Sequence, residues 1–130
     1  MRRWVIPMFA VLVFSGHNGH AASGDALVEV SVPELGAPER EGEAWFNKFC
    51  ADCHGANAAG VDGKGPPLVH RIYEPGHHGD AAFYLAPRQG VRAHHWPFGD
   101  MQPLEVNLTD AAIERIVTYV RALQRANGIN

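Results

Sequence analysis

Between Thr109 and Gly128, apolar side chains recur at Ile113, Ile116, Val117, Val120 and Leu123, three and four positions apart, with Glu114, Arg115 and Arg125 among the places between. That rhythm predicts an amphipathic helix with one buried face. Thr109 is placed to cap it, Asp110 sits in its first turn, Tyr119 flanks the apolar stripe and Gly128 lies beyond its end. A second helical pattern runs from about Pro38 to Phe49. Pro38 suits a first helical position, and acidic side chains at 39, 41 and 43 suit its positive end. Gly42 and Phe46 are four apart, as are Trp45 and Phe49, so aromatic mass lines one side.

The middle of the chain is less regular. Residues 51–78 carry many Gly and Pro and read mostly as loop. A loop of that length in a small domain needs something to wrap around. Asp80 is placed to cap a short helix opening Ala81-Ala82-Phe83-Tyr84-Leu85; Pro87 should kink or restart it, and Gly90 can close it. Ahead of the first helix, Val28, Val30 and Val32 alternate with Glu29 and Ser31. They suggest a short extended arm that Pro33 confines to an edge, either packed on the domain or merely tethering it.

The start of the chain is of another kind. Arg2 and Arg3 precede a nearly unbroken apolar run from Trp4 to Phe14, and small residues follow up to Ala22. This is the three-part layout of a secretory signal peptide. Spanning a bilayer takes about 20 apolar residues, so a retained anchor is the weaker alternative. The expected division is a signal peptide over 1–22, an arm over 23–37 and one domain over 38–130, exported and without stable membrane insertion after cleavage. The whole chain has 130 residues, 46% of them hydrophobic, and a formal charge of −3. Loss of Arg2 and Arg3 leaves 9 basic against 14 acidic side chains, a balance near −5. Such a surface argues against a nucleic-acid partner and for protein partners that present a basic docking patch.

The two cysteines concentrate the chemistry. Residues 50–54 read Cys-Ala-Asp-Cys-His, the C-x-x-C-H pattern of covalent haem attachment. Thiols at Cys50 and Cys53 can reach the two vinyl groups of one porphyrin, and the following His54 is then carried to the iron. A thioredoxin-like dithiol would need a βαβ setting, which the pattern lacks. A zinc site would need two more ligands, which His77, His78, His94 or His95 could supply. On the haem reading, a second iron ligand is sought. Met1 and Met8 fall in the leader, so Met101, in a loop rich in Pro and Gly, is the candidate thioether. His94 and His95 are the alternatives, as is an open iron with Met101 a mere core filler. The stretch Gly65-Pro66-Pro67-Leu68 follows the motif. The Pro66 carbonyl can accept from His54 and Leu68 can cover the ring, though an ordinary turn reads the same way.

With these residues in order, the chain resembles the class I cytochrome c family over roughly Pro38 to Gln124. The shared order is aromatic helix, haem motif, Gly-Pro-x-Leu loop, middle helix, Met loop and closing amphipathic helix. The resemblance implies an all-α fold of three or more helices around one covalently bound haem c. It also implies crossing terminal helices, where Gly42 and Phe46 meet Tyr119. It assigns the carbonyl role to Pro66 and the second ligand to Met101. Arg88, Arg92 and Trp96 are the candidate donors to the haem propionates. The implied function is a periplasmic one-electron carrier acting between redox proteins rather than an enzyme. A haem subunit of a larger oxidoreductase, docked by the arm, is the second reading, and a gas sensor or peroxidase-like protein the third. The histidines at 77, 78, 94 and 95 exceed what the family requires. They read as loop residues bonding backbone or propionates, or as a second metal site such as one for copper.

Overall fold

The computed structural model describes residues 25–130. The leader expected over residues 1–22 lies outside them. The described chain is helical: α1 (Ala37–Phe49), α2 (Ala51–His54), α3 (Asp80–Gln89) and α4 (Asp110–Ala126), with single 3₁₀ turns at Ala56–Ala58 and Arg71–Tyr73. Among the described residues there is no β-strand, only two isolated antiparallel bridges, and no helix is long and apolar enough to cross a membrane. The all-α expectation holds.

Helices α1 and α4 form the centre. Phe46 and Tyr119, both fully buried, meet with ring centroids 5.6 Å apart and planes tilted by 57°. Ile113, Ile116, Val117, Val120 and Leu123 complete the core, as their spacing requires. Burying each such side chain stabilises the fold by about 1.5–3 kcal/mol. The crossing is close because Gly42 has no side chain. A Cβ there would overlap the Arg115 carbonyl oxygen and stand 2.9 Å from Tyr119 Cβ. Tyr119 therefore does not flank the apolar face but sits within it, and its hydroxyl donates to Asn57 Oδ1 at 3.2 Å.

Thr109 caps α4, its Oγ1 accepting from the Ala112 amide at 3.2 Å. Asp80 differs from its expected role. Gly79 occupies the cap position of α3, and Asp80, one residue inside, accepts from Arg121 Nε at 2.9 Å. A long-range ion pair has displaced the local cap. Helix α3 continues through Pro87 to Gln89. A proline so near the end removes one intrahelical bond only, and its carbonyl is used by the Leu104 amide at 2.8 Å. The arm packs on the domain rather than hanging from it. Leu27 and Val28 donate to the Ala59 carbonyl, and Ser31 exchanges two hydrogen bonds with the Asn127 side chain, each 2.9 Å.

Two polar residues lie in the buried stripe of α4. Arg121 donates to the carbonyls of Tyr73 (2.7 Å) and His78 (2.6 Å) and to Gln124 Oε1 (2.6 Å). Gln124 Nε2 donates to the carbonyls of Leu68 and Tyr73. Buried polar groups persist only when paired, and these two convert the irregular 68–78 loop into a segment tied to the core.

Candidate functional site

The site begins where α1 ends. The Cys50 amide still donates to Phe46 at 2.8 Å, and the amides of Cys53 and His54 both donate to the Cys50 carbonyl. The single turn α2 thus holds Cys50, Cys53 and His54 together as one unit. The two thiols are not joined to each other; Cys50 is half-buried and Cys53 exposed. Burial, with a smaller contribution from the neighbouring Cys53, pushes the Cys50 thiol up to about 12. At neutral pH it is an uncharged thiol in apolar surroundings.

His54 is oriented by a specific partner. Its Nδ1 donates to the Pro66 carbonyl at 2.9 Å, which leaves Nε2 with a free lone pair. Burial lowers the imidazole below its ordinary range and outweighs the opposing effect of the Pro66 bond, so the ring is the free base at neutral pH. The carbonyl is located by a tight turn, Val61 and Gly65 forming an antiparallel bridge. Gly65 is required there, since a Cβ would come within 2.5 Å of the Cys53 carbonyl oxygen. Leu68 is partly buried against the core, its amide bound to Ala58 and its carbonyl to Gln124.

Met101 lies at the end of the loop that follows α3. It forms an antiparallel bridge with Val91, two backbone bonds of 2.9 Å, and is half-buried. Gly90, with φ +72°, turns the chain out of α3; a Cβ there would lie 2.5 Å from the Met101 carbonyl oxygen. The loop from Arg92 to Asp100 is closed at its base by this bridge, and Asp100 Oδ1 accepts from the Ala93 amide at 2.8 Å.

Within that loop Trp96 stacks on Phe98 and meets His70 edge-on. Its Nε1–H is buried and finds no hydrogen-bond partner among the described residues. The Tyr73 phenol lies nearby; burial pushes it up, partly offset by the indole, although the two do not reach hydrogen-bond geometry. A buried, unpaired donor is costly unless something absent from the protein chain accepts it. Arg88 is engaged elsewhere: it pairs with Asp110 at the start of α4 and also reaches the Leu108 carbonyl. Arg92 is exposed, and its carbonyl accepts from His94 Nδ1.

The donor set fits a covalently held haem. Two unbridged thiols stand one turn apart, a free-base imidazole is fixed through its far nitrogen, and a buried indole N–H awaits an acceptor. The structure groups the extra histidines with one another and not with the cysteines, which removes the mixed Cys/His zinc reading. The dithiol reading lacks its sheet among the described residues. The sequence reading missed Tyr73, Asn57, Arg121 and Gln124. Tyr73 and Asn57 lie in single 3₁₀ turns too short to carry a periodic signal. Arg121 and Gln124 did carry one, since they are polar residues at core spacing on α4.

A sequence model of the family described as Cytochrome c matches residues 39–124. No curated protein matches the chain.

Proposed function

The chain belongs to the cytochrome c family, and from that premise we propose that it is an exported, periplasmic carrier of single electrons. On this reading one haem c is held by thioethers to Cys50 and Cys53 and ligated by His54 and Met101. When bound, the haem iron supplies the one-electron couple. The observation that carries the reading is the His54 Nδ1 bond to Pro66, 2.9 Å, which leaves Nε2 free on the residue that follows the second thiol.

Each residue has a distinct task. Cys50 and Cys53 fix the cofactor to the end of α1, so that it cannot dissociate in a compartment where it could not be replaced. Pro66, with no N–H of its own, supplies a carbonyl that sets the tautomer and angle of His54. Met101 offers a soft sulfur from a loop braced by the Val91 bridge, and thioether ligation favours the reduced iron and raises the potential. Trp96 provides a donor for a propionate. With His54 and Met101 both holding the iron, the haem would leave a substrate no ligand position, and it would exchange electrons with redox proteins in brief, small encounters. The acidic balance of the mature chain favours partners with a basic patch.

Covalent attachment is tested by Cys53→Ala. The variant is expected to lose a large part of the haem that survives denaturing electrophoresis, because one thioether remains at Cys50. Haem staining at the wild-type level would remove the attachment claim.

A further inference from the structure

Two histidine pairs lie on separate segments, His77-His78 just before α3 and His94-His95 in the loop after it. The fold brings them together. Ring centroids are 4.7 Å apart for His77 and His78, 5.3 Å for His95 with each of these, and 4.1 Å for His94 and His95. One ligating nitrogen from each of His77, His78 and His95 falls within 4.8 Å of the others. We propose that these three imidazoles form a surface binding site for a copper ion, distinct from the His54 and Met101 pair.

The geometry favours an ion over a chance cluster. His77 Nε2 and His95 Nε2 are 3.3 Å apart. Two imidazole nitrogens on one ion, each about 2.0–2.1 Å from it, are separated by about 2.9 Å at a right angle and about 3.3 Å at a tetrahedral one, so this pair fits a tetragonal copper site distorted toward the tetrahedral. A hydrogen bond between the two rings would give the same distance, but it would not explain why a nitrogen of a third imidazole, that of His78, lies within 4.8 Å of both. His78 is prepared as a ligand: its Nδ1 donates to the Ile72 carbonyl at 2.7 Å, which leaves Nε2 as the free lone pair. This is the outer-shell contact that orients a metal-bound histidine. Its backbone is anchored as well, the His78 carbonyl accepting from the buried Arg121. His94 is held in the same manner by the Arg92 carbonyl at 2.8 Å and stacks on His78 beside the group of three.

The ligand set selects the ion. It contains imidazole alone, with no thiolate and no carboxylate. Imidazole suits copper, zinc and nickel, and among divalent first-row ions copper binds a given nitrogen site most tightly. The acidic balance of the mature chain favours a dication. His77 and His95 are exposed, so the ion needs no entry path.

The test uses the haem-loaded protein, in which thioether formation removes both cysteines as competitors. Calorimetric titration with Cu²⁺ at pH 7.5 is expected to show one ion per chain, with nitrogen hyperfine structure in the electron paramagnetic resonance spectrum. His77→Ala and His95→Ala should each weaken binding at least tenfold, with unchanged haem bands reporting an intact fold. Copper bound equally well by the double variant, or a spectrum of oxygen ligation only, would overturn the site. Zn²⁺ binding more tightly than Cu²⁺ would overturn the choice of ion.

Discussion

Replacing Met101 with alanine is expected to lower the reduction potential by on the order of 100 mV or more and to let carbon monoxide bind the reduced protein at neutral pH. Met101 is held by two backbone bonds to Val91, and the chain is turned into that bridge by Gly90 in the left-handed region. The backbone would stay in place without the side chain, so the substitution removes the thioether and little else. Without the thioether, the iron would be open to water or an exogenous ligand, and the haem would lose the ligand that favours its reduced state. A redox titration of the purified variant measures the shift. An unchanged potential would move the second ligand elsewhere, with His94 and His95 the first places to look.

Gly42→Ala should cost about 3 kcal/mol and lower the melting temperature of the haem-loaded protein by roughly 10–20 °C. Two effects oppose each other. Alanine is the better helix former by up to about 1 kcal/mol in a helix interior. Against that, the added methyl would overlap the Arg115 carbonyl and press on Tyr119 Cβ at 2.9 Å. A backbone carbonyl in α4 cannot rotate away as a side chain does, so the helices must separate. Separation loosens Phe46 against Tyr119, an aromatic contact between two fully buried rings. The steric term therefore wins, and thermal unfolding followed by circular dichroism would show it. A melting temperature at or above that of the unsubstituted protein would mean that the crossing is looser than described.

What could be read from the chain follows a physical line. The terminal helices were legible because packing imposes a period, and Ile113 to Leu123 and Gly42 to Phe46 keep it. The haem motif was legible because the chemistry demands adjacent residues, so Cys50, Cys53 and His54 could be named without a fold. The Pro66 contact lies twelve residues from His54 and was reachable only through the motif that links them. Non-local ion pairs were not legible. Asp80 looked like a cap because a local pattern is all that a sequence displays, yet Arg121, forty-one positions away, claims its carboxylate. Arg88 likewise looked free to meet a propionate and is paired instead with Asp110. The histidines were visible as an excess, but nothing in their spacing said that the 77–78 and 94–95 pairs share one point in space.

The most direct test of the central claim is the absorption spectrum of the purified protein, oxidised and reduced, with and without carbon monoxide. Ligation by His54 and Met101 predicts sharp low-spin bands, a weak far-red sulfur-to-iron band in the oxidised state, and no response of the reduced protein to carbon monoxide at neutral pH. A high-spin spectrum or a clear carbon monoxide shift would contradict it, leaving an open iron and a sensor or an enzyme in place of a carrier.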